Sequence, residues 1–249
     1  MSAALETRVL CKNFGALAVA QRIDFRLEPG ARHALIGPNG AGKTTFVNML
    51  TGRLRPTSGQ ILLGGEDITR LSQRERVRRG LGRTFQINSL FRGLTVIDNV
   101  ALAVAEQRGM GGRMFRPARQ YTEVRDAAMA LLDSLGLAGD AGTLVANLAY
   151  GKQRLVEIAI TLAMKPRVLL LDEPAAGVPS VESHRILEVL DALPAEIAIL
   201  IIEHDMDLVF RFAKRITILV NGATLVEGTP AEISADPRVR EVYLGERHA

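Results

Sequence analysis

Eight consecutive residues, Gly37-Pro38-Asn39-Gly40-Ala41-Gly42-Lys43-Thr44, have the types and spacing of a phosphate-binding loop. The three glycines allow backbone N–H groups to curl around a polyphosphate. The helix predicted to follow points its partial positive charge at the same anion. The ammonium of Lys43 would reach the β- and γ-phosphates, and the hydroxyl of Thr44 could bind Mg²⁺. Together with Thr45, these residues predict a nucleoside triphosphate site.

Two adjacent carboxylates, Asp172 and Glu173, end the apolar run Val168-Leu169-Leu170-Leu171. With this class of loop, an acidic residue at a strand end holds Mg²⁺, usually through water, and Asp172 fits that role. Glu173 lies one step further, where a carboxylate beside the γ-phosphate could accept a proton from the attacking water or orient it. The alternative is a solvated acidic turn, which the phosphate loop upstream disfavours.

A third element, Leu148-Ala149-Tyr150-Gly151-Lys152, is a turn that enters a helix predicted over Gln153 to Met164. It offers another helix N-terminus and a second potential anion site. By chemistry alone this signal is weak, because many helices begin after such a turn. The phosphate loop by itself does not separate kinases, GTPases and transport ATPases.

Apolar patterning supplies the elements that must position these residues. Strands are predicted over Arg8–Lys12, Ile23–Leu27, Ala31–Ile36, Gly59–Leu63, Leu81–Gln86, Val168–Leu171, Ile197–Ile202, Ile216–Val220 and Thr224–Glu227. Strand–helix alternation around a phosphate loop predicts an α/β sandwich with a largely parallel sheet. A helical block from about Leu94 to Gly151 interrupts the alternation and predicts an inserted subdomain over residues 94–151. Residues 1–93 and 152–249 would then form the core. A Gly- and Arg-rich stretch between Val104 and Val124 is predicted to be a solvated loop.

Composition restricts the compartment and the class of partner. The chain has 249 residues, is 47% hydrophobic and has a net charge of +4, which is mildly basic and not the clustered excess of a nucleic-acid surface. The single cysteine, Cys11, excludes an internal disulfide. No apolar run approaches the ~18–20 residues that cross a bilayer, and no signal peptide is evident. We therefore expect a cytosolic protein whose membrane role comes through a partner.

The ordered set of motifs resembles the ATP-binding subunit of an ABC transporter. The set comprises the phosphate loop, a glutamine at Gln86, a signature turn at Leu148–Lys152, the Asp172-Glu173 strand and a strand-terminal His204. Several stretches look closer still to the longer ATPase subunit of branched-chain amino acid uptake systems: Leu148–Gly151, Asp172–Gly177, Glu203–Met206 and the tail from Gly228 to Gly245. The resemblance implies a P-loop NTPase core with a mostly parallel sheet, an N-terminal antiparallel β region and an inserted α-helical subdomain.

The resemblance also implies a role for each motif. Phe14 would stack on adenine. Gln86 would touch Mg²⁺ or the attacking water and link the site to the helical insert. His204 would contact the γ-phosphate, so that Glu173, His204 and Gln86 form the catalytic set and Thr44, Gln86 and Asp172 the Mg²⁺ set. The signature turn would complete the ATP site of a partner subunit, since one loop encloses only one side of a polyphosphate.

The implied cofactors are ATP and Mg²⁺, and the implied partners are proteins of a transport system. They are a second ATPase subunit (more plausibly a related chain than a second copy), two membrane permease subunits and, indirectly, an extracytoplasmic solute-binding protein. The chain would lie on the cytoplasmic face of the inner membrane and bind no nucleic acid. The permease contact is expected on the helical insert near Leu94 to Gly112.

Three residues depart from the pattern of the superfamily. Ala149 stands where a serine is usual, which removes a hydroxyl donor to the γ-phosphate, and Lys152 replaces the usual glutamine. A lysine at a helix start opposes the dipole, although it could meet the phosphate. Pro179 stands where an acidic or amide side chain usually crosses the dimer interface, and it would stiffen a helix start at Ser180.

Four other functions stay open. A lipid- or polysaccharide-exporter ATPase has a similar tail pattern. Chromosome-maintenance and DNA-repair ATPases usually have coiled coils or zinc modules, and this sequence has neither heptads nor a cysteine cluster. Translation-linked ABC proteins normally fuse two ATPase domains, and this chain has one. A small-molecule phosphotransferase would need an acceptor pocket that the sequence does not reveal.

Overall fold

The computed structural model describes residues 2–84, 90–110 and 118–245 of the chain. The chain divides into two compact units. The first unit comprises Met1–Leu81, Arg167–Glu173 and Leu193–Ala249, and the second comprises Gly82–Pro166 and Pro174–Ala192. The helical subdomain predicted over residues 94–151 falls within the range of the second unit, and its exact boundaries stay a prediction.

Strands dominate the N-terminal part of the chain, and helices and strands alternate in the C-terminal part. The strands are β1 (Leu5–Phe14), β2 (Leu17–Leu27), β3 (Arg32–Ile36), β4 (Ser58–Leu63), β5 (Glu66–Asp67), β6 (Leu81–Arg83), β7 (Val168–Asp172), β8 (Ala198–Ile202), β9 (Arg215–Val220) and β10 (Ala223–Gly228). The helices are α1 (Lys43–Leu50), α2 (Gln73–Arg78), α3 (Val96–Gln107), α4 (Ala118–Ser134), α5 (Tyr150–Ala163), α6 (Ser180–Asp191), α7 (Met206–Phe212), α8 (Pro230–Ala235) and α9 (Pro237–Gly245).

The first unit contains an antiparallel sheet in the order β2-β1-β4-β5. Leu5 of β1 pairs with Leu27 on one side and with Leu63 on the other, which places three apolar residues in one row. The register shifts after Thr7, where Val9 takes a positive φ of 48°. This sheet is the N-terminal antiparallel region that the sequence resemblance implied.

A second sheet has the order β10-β9-β3-β8-β7-β6. Strands β3, β7, β8 and β9 run parallel, and β10 returns antiparallel to β9 through the Asn221-Gly222 turn. Strands β7 and β8 are almost wholly apolar because both faces of a parallel sheet are covered. Side chains from both sheets and from α1 share one core, which includes Leu5, Phe25, Phe46 and Leu200. The predicted fold class is confirmed.

The second unit is helical. Helix α3 begins at the Thr95 cap, whose hydroxyl accepts a hydrogen bond from the Asp98 backbone N–H. It buries Val96, Val100 and Val104 on the face that packs on α4 and α5. Helix α5 is buried on most of its surface, which suits a central helix. Among the described residues, none of the helices has both the length and the apolar character needed to cross a bilayer.

Several predicted boundaries were wrong, and β1 and β2 begin earlier than the predicted Arg8 and Ile23. Strand β6 ends at Arg83, and Thr84 lies outside it, although the sequence predicted a strand to Gln86. Helix α4 begins at Ala118, within the predicted loop. The apolar pattern missed this start because the first turns of the helix carry mostly polar residues and show no apolar stripe. Helix α5 begins at Tyr150 and not at Gln153, so the end of the signature turn forms the first helical turn.

Candidate functional site

Three neighbouring parallel strands of the first unit end at the same level. Leu35 of β3 pairs with Ile202 of β8, and Ile202 pairs in turn with Asp172 of β7. The phosphate loop follows β3, Glu173 follows β7 and His204 follows β8. The carboxyl ends of parallel strands meet at one edge of a sheet, which is where such folds bind ligands. The structure therefore brings the loop, both carboxylates and the histidine to one edge.

The phosphate loop is closed by its own backbone. The N–H of Ala41 donates to the Pro38 carbonyl at 3.2 Å, and the N–H of Phe46 donates to the Gly42 carbonyl at 2.9 Å. Gly42 caps α1 with a φ of 96°, and a Cβ built there would lie 2.7 Å from the Val19 carbonyl oxygen. Both the left-handed backbone and the lack of space require glycine at this position.

The chemistry of the loop suits a phosphate group. The ammonium of Lys43 folds over the loop and donates to the carbonyls of Gly37 and Pro38, the latter at 3.0 Å. Asn39, Gly40 and Thr44 are exposed, so the surface that would face the anion is open. Eight helical residues stand behind this surface, with Gly42 at their positive end.

Glu173 and His204 form a pair beside the loop. The Nδ1 atom of His204 lies 3.6 Å from a carboxylate oxygen of Glu173, and both side chains are exposed. Glu173 has a φ of 48°, an uncommon conformation for a side chain of this size, and its N–H donates to the Ile202 carbonyl at 2.9 Å. A strained residue held by the neighbouring strand is typical of functional sites. The buried Glu203 accepts a hydrogen bond from the His204 backbone N–H at 3.3 Å.

The remaining predicted residues divide into three groups. Phe14, at the end of β1, is 50% exposed, so it is not a core residue, and the Lys12 ammonium lies 4.9 Å from the centroid of its ring. Gln86 lies outside the described residues. The signature residues Leu148–Lys152 belong to the second unit.

The signature turn starts α5 without a side-chain cap, because Ala149 occupies the N-cap position. Gln153 holds the turn by donating from its side chain to the Leu148 carbonyl at 2.9 Å. Lys152, which the sequence offered as a phosphate ligand, donates to both carboxylate oxygens of Asp140 at 2.8 Å. Tyr150 is 39% exposed, and its hydroxyl accepts a hydrogen bond from Arg154 at 3.3 Å.

Gly151 of this turn lies against α6. A Cβ built on Gly151 would lie 2.2 Å from a carboxylate oxygen of Glu182 and 3.2 Å from its Cβ. Pro179 stands just before α6, where its carbonyl accepts hydrogen bonds from the Glu182 and Ser183 backbone N–H groups. The lack of a side chain at Gly151 thus sets how closely the first turns of α5 and α6 approach.

We expect Gly151→Ala to lower the free energy of unfolding by about 1–2 kcal/mol, because the new methyl group displaces Glu182. In a Glu182→Ala background the same change should cost distinctly less, because the carboxylate oxygen at 2.2 Å is gone and only the contact with the Cβ of residue 182 at 3.2 Å remains. Urea unfolding of the four proteins in this double-mutant cycle measures the coupling. Equal effects of Gly151→Ala in both backgrounds would contradict the contact.

Sequence reasoning missed a buried ion pair in α5. Arg154 donates from Nη1 to a Glu157 carboxylate oxygen at 3.0 Å, and the two side chains are 10% and 4% exposed. Burial raises the pKa of Glu157 to about 7, and Arg154 offsets only part of that effect. Within the described part of the chain, Arg154 Nε and Glu157 Oε1 lack hydrogen-bond partners. Opposite charges three residues apart on an otherwise apolar helix were the available signal.

Two family models match the chain. One, described as "ABC transporter", matches residues 20–176, and another, described as "Branched-chain amino acid ATP-binding cassette transporter", matches residues 223–249.

Relatives and a solved structure match it along almost its whole length. The chain is 41% identical to the high-affinity branched-chain amino acid transport ATP-binding protein LivG of Escherichia coli (strain K12), over 97% of this chain and 98% of that protein. It is 38% identical to the lipopolysaccharide export system ATP-binding protein LptB of Acidithiobacillus ferridurans, over 99% of both chains. The crystal structure of an ATP-binding cassette of an ABC transporter in its ADP conformation matches with a TM-score of 0.86 and 29% identity, over 98% of this chain and 100% of that chain.

Proposed function

Because the chain belongs to the ABC transporter family as an ATP-binding subunit with ATPase activity, we propose that it powers the uptake of branched-chain amino acids or related small organic solutes. The observation that carries this proposal is the match of residues 223–249 to the branched-chain family. The match to residues 20–176 is general to ABC transporters and does not distinguish cargo. The 41% identity to LivG points to the same cargo class.

In this proposal the edge of the sheet binds ATP. Backbone N–H groups of the phosphate loop and the Lys43 ammonium hold the β- and γ-phosphates, and Phe14 stacks on the adenine. Thr44 and Asp172, with Gln86, would hold Mg²⁺, which when bound neutralises charge on the phosphate oxygens.

Glu173 and His204 would perform the chemistry. Glu173 orients a water molecule and accepts its proton, and the water oxygen bonds to the γ-phosphorus while the bond to the bridging oxygen breaks. The electron pair of that bond leaves with ADP. His204, 3.6 Å from Glu173, would donate a hydrogen bond to a γ-phosphate oxygen. The strained backbone of Glu173 supports this role, because it fixes the position and direction from which the carboxylate side chain extends.

The signature turn would serve the ATP site of a second ATPase subunit, and the two subunits would close on two nucleotides. The binding free energy of ATP favours the closed dimer, and hydrolysis removes that preference, so the assembly cycles. A related chain is the favoured partner. We place the assembly on the cytoplasmic face of the inner membrane, with two permease subunits and an extracytoplasmic solute-binding protein.

A second candidate function is export of a lipid or polysaccharide. The observation in its favour is the 38% identity to LptB over 99% of both chains. The two candidates share the ATPase chemistry and differ in the permease. DNA-stimulated hydrolysis or co-purification with ribosomes would instead favour a function outside transport.

Reconstitution tests the cargo. Proteoliposomes would contain this chain with two candidate permease subunits and a second ATPase subunit from the same organism, and a purified candidate binding protein would be added outside. We expect ATP inside the vesicles to drive accumulation of radiolabelled leucine, isoleucine or valine, and a Lys43→Ala variant to accumulate none. Release of lipopolysaccharide without any amino acid uptake would contradict the importer and support the exporter.

A further inference from the structure

In the part of the chain that the structure describes, Arg76 has the largest of the side chains that are less than 2% exposed, although it carries a charge. It lies on α2, and the hydrogen bonds that its guanidinium donates to the described residues all go to backbone carbonyls. The Nη1 atom bonds the carbonyls of Met49 and Leu50 at 2.7 and 2.6 Å, Nε bonds that of Leu71 at 3.0 Å, and Nη2 bonds that of Thr69 at 2.9 Å. The guanidinium thus ties two segments of backbone together, the end of α1 and residues 69–71, through four hydrogen bonds.

Two of these carbonyls belong to the last two residues of α1, Met49 and Leu50. The final carbonyls of a helix lack partners within it and form the negative end of its dipole, where a cation is stabilising. The other end of α1 begins at Lys43, within the phosphate loop. Eight residues span ~12 Å, so a rigid helix of about two turns joins the guanidinium to the loop.

The chain leaves room for this contact at Gly52. Its φ of 80° is left-handed, and a Cβ built there would lie 2.9 Å from Arg76 Nε and 3.1 Å from the Leu71 carbonyl oxygen. Any side chain at residue 52 would displace the guanidinium from the end of α1. The hydrogen bonds of Arg76 therefore depend on the lack of a side chain at Gly52.

The guanidinium keeps its charge despite burial. Burial lowers the pKa of Arg76 to about 10, and the carboxylate of Asp67 opposes that decrease. At neutral pH the side chain is therefore a buried cation. An apolar side chain would fill the same space without the penalty of removing a charge from water. The charge of Arg76 and its hydrogen bonds to the end of α1 must therefore have a role that an apolar side chain could not fill by packing alone.

We propose that Arg76 is a positioning residue for nucleotide binding, which holds the end of α1 so that the loop and Lys43 at its start face the phosphates. The inference rests on the phosphate loop being the ATP site. The guanidinium acts through the helix: it fixes the position of the axis of α1 and supports the dipole that ends at Gly42. It does not touch the nucleotide.

The test compares Arg76→Met, which removes the charge, and Arg76→Lys, which keeps the charge and loses the fork. Arg78→Met on the exposed face of α2 is the matched control. Calorimetric titration of the full chain with MgATP gives Kd, and circular dichroism gives Tm. We expect Kd to rise about tenfold in Arg76→Met, about threefold in Arg76→Lys and not at all in the control.

Each outcome decides between a positioning role and structural support alone. Folded Arg76 variants that bind ATP as tightly as the original chain, with only a lower Tm, would reduce the residue to structural support and overturn the inference. If Arg76→Met does not fold, the Kd of Arg76→Lys decides alone. If the unaltered chain does not bind ATP, the nucleotide site itself is wrong, and that failure is recognised before any variant is compared.

Discussion

Replacing Glu173 with glutamine is expected to leave ATP binding intact and to lower the rate of hydrolysis at least about 100-fold. A positioned general base contributes about 10²–10⁴-fold to a proton transfer, and glutamine cannot accept the proton. The amide matches the carboxylate in size, so it can keep the φ of 48° and the backbone hydrogen bond to Ile202. Phosphate release measured with the complete set of partner subunits gives the rate, and titration with MgATP gives Kd.

The control for this experiment is Glu196→Gln, which alters an exposed carboxylate of the same unit. Its rate should equal that of the unaltered protein. His204→Ala should also slow hydrolysis, because it removes the group 3.6 Å from the Glu173 carboxylate. Hydrolysis by Glu173→Gln near the original rate would show that another group activates the water. A loss of ATP binding would show that Glu173 contributes to the binding of ATP and not specifically to its hydrolysis.

The layout of the sheet edge could be predicted because residue types and local pattern determine it. Glycines at 37, 40 and 42 fit only a few backbone conformations, and a continuous apolar run such as Val168–Leu171 predicts a strand buried on both faces. Once the strands are parallel, their carboxyl ends meet, and side chains far apart in sequence come to one edge. Asp172 and Glu173 could be placed at this edge from the strand that ends in them, whereas His204 was assigned to the site only through the resemblance to ABC transporter ATPases.

Other features could not be predicted because they depend on tertiary packing or lack apolar periodicity. Helix α2 has only six residues, and its signal is the capping box in which Ser72 and Glu75 bond each other's backbone N–H. The same motif at Thr229 and Glu232 begins α8. Arginine is mostly an exposed residue, so nothing in the pattern placed Arg76 inside the core. Its acceptors are carbonyls from segments that meet only in the fold.

We expect the largest change in stability from breaking the buried pair between Arg154 and Glu157 in α5. Replacing Arg154 with methionine keeps the length of the side chain and leaves the Glu157 carboxylate buried without its counter-charge. Breaking a buried pair in this way typically costs about 3–5 kcal/mol. Because the pKa of Glu157 is raised to about 7 in the folded protein, its neutral form is favoured there. The stabilisation that comes from this raised pKa is fully present below pH 4.5, the ordinary pKa of the Glu157 carboxyl. It is lost as the pH rises through about 7.

Removing Arg154 should raise the pKa of Glu157 further, because the opposing charge that holds it down is gone. We therefore expect Arg154→Met to lose about 3 kcal/mol or more in urea unfolding at pH 8 and distinctly less at pH 5, where the buried carboxyl is already neutral in the folded state. Arg154→Met with Glu157→Gln should recover most of the loss at pH 8, since no charge remains buried. Arg26→Met, which breaks the exposed pair with Glu28, should cost less than about 1 kcal/mol at either pH. Equal losses for Arg154→Met at both pH values would mean that the methionine disturbs packing and that the uncompensated charge of Glu157 is not the cause.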